Sequence, residues 1–447
     1  MTRNSANPSD NPSGRKNGSG HSRRVYLVDG ARTPFLKARG RPGPFTPVDL
    51  AVQCGRPLLL RQPVPADAYD QVILGCVNVL PSEMNPARVA ALRMGMGEGM
   101  TAFTVQINCG SGMQSIDTAY KYIRDGDSDL ILAGGTEALS QSPMMLKDDA
   151  VEWLAGLNAA SSPQGYARHL AQFSPTDFKP ELSLVKGLTD PIVGLSMGQT
   201  AEVLAQQFNI SRRAADEYAL SSHQRLARAQ KEGWLEGEVE PAIAPNGQLF
   251  SHDDGVRADT TVEKLGGLKA AFEPPYGKVT PGNSSQVTDG ASWMVLASEE
   301  AVQKYGLEPK AVIVDSEWAA LDPKIMGLGP VLSCTELLKR HKSGLNDIDL
   351  WELNEAFAAQ VLACVEAWQD PEFCQVALGL NEPMGKLDME RLNIDGGAVA
   401  IGHPVGTSGN RIVLHLMNAL HRQGLKRGIA TECIGGGQAG AMMIETV

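Results

Sequence analysis

Short apolar runs alternate with stretches of helical periodicity along most of this chain. Val25-Tyr26-Leu27-Val28, closed by Asp29-Gly30, reads as a strand, and residues 69–76 read as a second. Asn85-Pro86 opens a helix running through Val89 to Met94, with Pro86 suited to its first turn. A strand over residues 104–108, a tight turn at Cys109-Gly110-Ser111-Gly112, a helix over 113–125 and a strand from Asp129 then follow. This alternation predicts an α/β layered domain.

The pattern changes between about residues 139 and 281, where long polar stretches and scattered prolines surround an amphipathic helix pair at 197–208 and 212–231, the second capped by Ser211. Such a segment reads as an inserted loop or lid, which commonly forms a ligand-binding wall. The α/β pattern resumes at Asp289 and runs to the end. A weak internal repeat is present: the Cys109 turn, a helix and Leu132-Ala133-Gly134-Gly135 match Gly406-Thr407-Ser408-Gly409, a helix through Leu420 and the strand 429–434 before Gly435-Gly436-Gly437. The predicted division is a disordered tail (1–23), an N-terminal α/β unit (24–140 with 282–312), an inserted loop domain (141–281) and a C-terminal α/β unit (313–447).

Composition narrows the function. At 447 residues the chain needs more than one packed unit. A formal net charge of -11 excludes a general nucleic-acid binder. The seven cysteines are odd in number and show no Cys-x-x-Cys spacing, which predicts reduced thiols, no structural metal and a cytoplasmic location. No apolar run is long enough to cross a membrane. The basic residues of the tail lack an apolar face, so it reads as a solvated tail rather than a transit peptide.

Four residues can carry chemistry. Cys109 sits between strand and helix beside Gly110 and Gly112, where free amides and the helix dipole predict a lowered thiol pKa; against this stands the ordinary fate of a cysteine as a small buried hydrophobe. His403 lies among glycines before a second helix, placed to activate a thiol. Cys433 precedes a glycine turn and reads either as an acid/base group or as a small core residue. Asn354, at a strand end, reads either as a donor to a bound water or as a helix cap.

Taken in order, Asn108-Cys109-Gly110-Ser111-Gly112, Ala133-Gly134-Gly135-Thr136-Glu137-Ala138-Leu139-Ser140, Asn354-Glu355-Ala356-Phe357-Ala358, Gly402-His403-Pro404 and Cys433-Ile434-Gly435-Gly436-Gly437 resemble the signature blocks of thiolases, from about residue 24 to the C-terminus. Asp253-Asp254-Gly255-Val256-Arg257 and Gly282-Asn283-Ser284-Ser285 are most similar to degradative 3-ketoacyl-CoA thiolases, including the thiolase subunits of fatty-acid oxidation complexes. The resemblance implies duplicated α/β units in an α/β/α/β/α layering. It implies acylation of Cys109, proton transfer by Cys433, activation by His403, and one oxyanion site made by His403 with a water on Asn354. The amides of Cys109 and Gly435 would make the other. Ser285, Ser196 and Met197 would contact coenzyme A, a substrate rather than a cofactor. Implied partners are 3-oxoacyl-CoA, coenzyme A, further copies of the chain and a hydratase/dehydrogenase subunit. Ser196, Asp395 and Ala439 stand where the family commonly has His, Asn and Gly. A condensing ketosynthase would pair its cysteine with two histidines, whereas the matching blocks here hold Asn354 and Cys433. A non-catalytic acyl-CoA binder would not need all four groups.

Overall fold

The structure, a computed structural model, describes residues 23–447, so all of the proposed tail except Arg23 lies outside the described residues. Arg23 is anchored, pairing with Asp129 and with Glu300 (2.7 Å).

The core strands are β1 (Val25–Arg32), β2 (Gln71–Gly75), β3 (Thr101–Val105), β4 (Leu130–Ala138), β5 (Thr288–Ser298), β6 (Ala311–Ala320), β7 (Leu350–Leu353), β8 (Arg427–Ile434) and β9 (Gln438–Thr446). They run in the order β3-β2-β4-β5-β1-β6-β9-β8-β7, with the short strand Leu36–Lys37 added to β5. The two halves share a pattern: β2 is parallel to β3 and β4, β7 is parallel to β8, and the pairs nearer the middle are antiparallel. Among the described residues, the strands of the two halves pair at Tyr26↔Val312 and Leu27↔Ala311. The predicted 312/313 division falls inside β6.

Helices occupy three layers. Helices α1 (Pro47–Leu60) and α2 (Pro86–Arg93) cover the outer face of the first half-sheet, burying Leu50, Leu58 and Ala90 against Leu74, Leu132 and Trp293. Helices α3 (Ser111–Arg124) and, near the C-terminus, Val405–Gln423 lie between the half-sheets, where Ile116 and Leu416 meet Ile131 from one and Ile444 from the other. The far face of the second half carries Gly329–Arg340 and Ala358–Gln369 around Trp351 and Trp368. This is the α/β/α/β/α layering. The insertion supplies α4 (Met197–Gln207) and α5 (Arg212–Lys231), each with the serine N-cap its sequence favours, at Ser196 and Ser211.

The internal repeat sets the central layer. Both central helices begin in small residues, so their backbones cross closely. A Cβ at Gly112 would lie 2.6 Å from the amide nitrogen of Asn410 and 2.9 Å from the carbonyl oxygen of Thr407. Backbone cannot yield there as a side chain can. Gly112→Ala is therefore expected to cost about 1–3 kcal/mol by overpacking, read as a lower denaturation midpoint with unchanged slope.

Candidate active site

The segment before α3 differs from its predicted form. β3 ends at Val105, and residues 106–110 form a turn with Asn108 at φ 46. Ile107 N–H donates to Ser111 Oγ (2.9 Å), and that hydroxyl donates to Asn108 O (2.7 Å). The helix starts at Ser111, two residues earlier than its apolar periodicity indicates, with Gly110 as its N-cap. Asn108 Nδ2 also donates to Gly435 O (2.8 Å), tying the Cys109 turn to the glycine turn after Cys433. Of the seven cysteines, Cys109 alone is partly exposed; the others are buried.

The thiol does not behave as its helix position predicts. Burial, with the buried carboxyl of Glu432 next, pushes the Cys109 thiol up to about 12; the amides of Gly435 and Cys109, lying against the sulfur, only partly oppose this. Desolvation and two acidic residues distant in sequence, Glu432 and Glu137, outweigh those two amides. The resting group is a thiol and needs a base.

His403 lines the same cavity as Cys109. The backbone turns sharply at Gly402 (φ +107), where a Cβ would lie 2.2 Å from Thr288 Cγ2, so only glycine fits. His403 N–H donates to Gln286 O (2.9 Å). Its Nδ1 lies 2.6 Å from Ser408 Oγ, whose hydroxyl donates to Pro404 O (3.3 Å). Ser408 thus accepts from Nδ1–H, leaving the unpartnered Nε2 with its lone pair free. Burial, aided by Arg411, lowers the ring's pKa from 6.5 to about 4. A neutral imidazole is therefore expected through the usual histidine range. The acid limb of the reaction's kcat/KM profile should fall near pH 4 rather than near 6.5. Ser408 gave no signal as a separate motif, because its role depends on the first helical turn folding back onto His403. Ser408→Ala should lower kcat on the order of tenfold by freeing the tautomer, with Ser408→Thr restoring most of it and KM changing little.

Cys433 lies in β8, 1% exposed, among Met326, Ala356 and Phe357. Burial, then the proximity of Cys109, raises its thiol well above the ordinary value. Asn354 does not cap the next helix, which starts at Ala358 behind Phe357. Its backbone N–H donates to Thr431 O (2.9 Å), while both side-chain amide atoms are buried without partners. Asn354 is not among the residues that line the cavity shared by Cys109 and His403.

A cavity of about 180 Å³ collects these groups: Cys109, Cys433, His403, Ser196, Met197 and Ser285 line it, with Phe272, Phe357, Met326 and Leu139 as apolar walls. A neighbouring cavity of about 230 Å³, sharing Cys109 and Met197, reaches Gly435 and the 187–192 segment of the insertion. Ser196 meets the cavity as the cap of α4, its Oγ donating to Gln199 Oε1 (3.0 Å) and accepting from the Gln199 amide. Phe272 and the 187–192 segment were not identifiable as wall residues from sequence. The set comprises two thiols, one neutral imidazole and a backbone-amide turn in an apolar recess. That is the equipment for acyl transfer through a cysteine with proton exchange at a second thiol.

Residues 25–300 match the thiolase N-terminal domain and residues 307–446 the thiolase C-terminal domain. The chain belongs to the thiolase family. This thiolase, an acyltransferase, is 35% identical over 425 residues to a probable acetyl-CoA acyltransferase of Staphylococcus epidermidis, covering 94% of this chain and 98% of the relative. A Staphylococcus aureus protein of the same description is 37% identical over the same span. Among solved structures, a Bacillus anthracis acetyl-CoA acetyltransferase superposes with a TM-score of 0.82 at 36% identity, covering 96% of this thiolase and 100% of that chain. Human mitochondrial 3-ketoacyl-CoA thiolase gives 0.81 at 36% identity, covering 95% and 99%. No described helix of this thiolase is long and apolar enough to cross a membrane.

Proposed function

We propose that this thiolase is a degradative 3-ketoacyl-CoA thiolase, cleaving 3-oxoacyl-CoA with coenzyme A in fatty-acid β-oxidation. The observation that carries this reading is the convergence of Cys109, Cys433 and the free Nε2 of His403 on one cavity. His403 takes the Cys109 proton as the sulfur attacks the 3-oxo carbon. The bond between C2 and C3 breaks, leaving an acyl thioester on Cys109 and the acetyl-CoA enolate. Cys433 protonates that enolate, and then removes the proton of the incoming coenzyme A thiol, which attacks the acyl carbon and frees Cys109. Negative charge builds on the enolate oxygen in one half-reaction and on the acyl oxygen in the other. The amides of Cys109 and Gly435 serve one oxygen; His403 with a water on Asn354 serves the other. The kinetics are ping-pong. Ser285, Ser196 and Met197 contact the pantetheine arm.

The degradative direction is supported by the Asp253–Arg257 and Gly282–Ser285 resemblances and by the likeness to the human mitochondrial enzyme; the likeness to the Bacillus acetyltransferase supports a biosynthetic enzyme making acetoacetyl-CoA. Thiolysis measured over 3-oxoacyl-CoA chain lengths, beside condensation of acetyl-CoA, separates them. Thiolysis of substrates longer than acetoacetyl-CoA is the expected result, and activity confined to four-carbon substrate overturns the degradative reading. A cytoplasmic homodimer or homotetramer, with or without a hydratase/dehydrogenase subunit, is the assembly this reading proposes.

A further inference from the structure

The central layer holds a buried charge cluster outside the steps above. The C-terminal central helix, Val405–Gln423, is here called α6. Arg32 binds Glu238 (2.6 Å) and Asp253 (2.7 Å), and Arg411 binds Glu352 (2.9 Å). His415 meets Glu238 through Nδ1 (2.8 Å) and Asp395 through Nε2 (3.1 Å), and Arg422 also pairs with Asp395. Both ring nitrogens of His415 face carboxylates, so both donate and the ring is an imidazolium. The four cations Arg32, Arg411, His415 and Arg422 are thus matched by the four carboxylates Glu238, Asp253, Asp395 and Glu352.

Glu432 is a fifth carboxyl with no cation bound to it. It is fully buried, and neither side-chain oxygen has a hydrogen-bond partner. Arg411 is its one opposing charge; that guanidinium gives Nη1 to Glu352, and its Nε is buried without making a hydrogen bond to Glu432. A buried carboxylate without a partner is costly and takes up a proton instead. Burial accordingly raises Glu432 well above the carboxylate range.

Its position couples that proton to the nucleophile. Adjacent strand residues face opposite ways, so Cys433 looks into the cavity while Glu432 looks into the central layer. There it lies between the heads of α3 and α6: the point where a Gly409 Cβ would stand is 2.1 Å from Glu432 Oε1 and 2.5 Å from the Met113 amide nitrogen. Cys109 sits at the head of that same α3. Arg411 on α6 bears on Glu432, and Glu432 bears on Cys433 beside it on β8 and on Cys109 before α3; Glu352 on β7, His415 and Asp395 lie on Arg411's side of the cluster, and Asp117 is on α3. Opposite Glu432 on β9 is Gly440, which carries no charge. Asp117 is satisfied by Ser316, Trp318 and Lys121, and Glu137 by the amides of Val77, Asn78 and Gly406.

We propose that Glu432 is a positioning residue for Cys109. Its carboxyl, buried without a hydrogen-bond partner beside the head of the helix that Cys109 precedes, is kept neutral by its proton, and a carboxylate formed there on losing that proton suppresses the Cys109 thiolate. This rests on Cys109 being the nucleophile. The test is alkylation of the full-length protein by iodoacetamide across pH, followed on the Cys109 peptide by mass spectrometry. It reads the thiolate without requiring turnover, so inactive enzyme with the expected alkylation behaviour would fault the proposed reaction and not this coupling. Glu432→Gln, neutral at every pH, should match wild type near neutrality and react at least about threefold faster at alkaline pH, half a unit of thiol pKa. Glu432→Met, apolar and similar in length, should behave alike and covers the case in which the amide does not fold. Superimposable profiles overturn the proposal.

Discussion

Cys109→Ala is expected to abolish acyl-enzyme formation and to lower thiolysis on the order of 10⁴-fold or more, since removal of a covalent nucleophile eliminates the whole two-step route. The other cysteines are buried, and burial raises the Cys433 thiol well above its ordinary value. Neither His403 nor Asn354 can form the thioester. The substitution should leave the fold intact, because the turn is held by Asn108 and Ser111 rather than by the sulfur. An unchanged melting temperature with no acyl adduct in the variant is the expected pair of results. An adduct that persists in Cys109→Ala would move the nucleophile elsewhere.

Cys433→Ala is expected to slow both half-reactions by about 10²–10⁴-fold, the usual contribution of a positioned acid/base group. Cleavage needs a proton on the departing enolate, and acyl transfer needs one removed from coenzyme A. In the proposed reaction both transfers fall to Cys433, which lines the same cavity as Cys109. Stopped-flow measurement should therefore show a slow first turnover and a slow discharge of acyl-enzyme by coenzyme A. Near-normal rates in both phases would return Cys433 to the role of a small core residue beside glycine.

Much of the site was readable as sequence because glycine turns and single reactive groups are local. The Cys109 turn, the Gly402 turn and the repeat of strand, turn and helix can all be seen in contiguous residues. What escaped depends on contacts between distant segments. The Cys109 thiol rises instead of falling because burial and Glu432, far along the chain, outweigh the amides of Gly435 and Cys109. Asn354 looks like a cap only when the start of the next helix is unknown; in the fold its amide is buried and unpaired. The strand before Cys109 ends early because Ser111 closes the turn back onto Ile107. The join between the half-sheets rests on two residue pairs that no periodicity announces.

The most direct test of the account is to mix the enzyme with 3-oxoacyl-CoA in the absence of free coenzyme A and map the protein by mass spectrometry. The predicted result is a shortened acyl group on Cys109, with acetyl-CoA released in equal amount, and its removal as shortened acyl-CoA when coenzyme A is added. Thiolysis that proceeds with no acyl group on Cys109, or with one on a different residue, would contradict it.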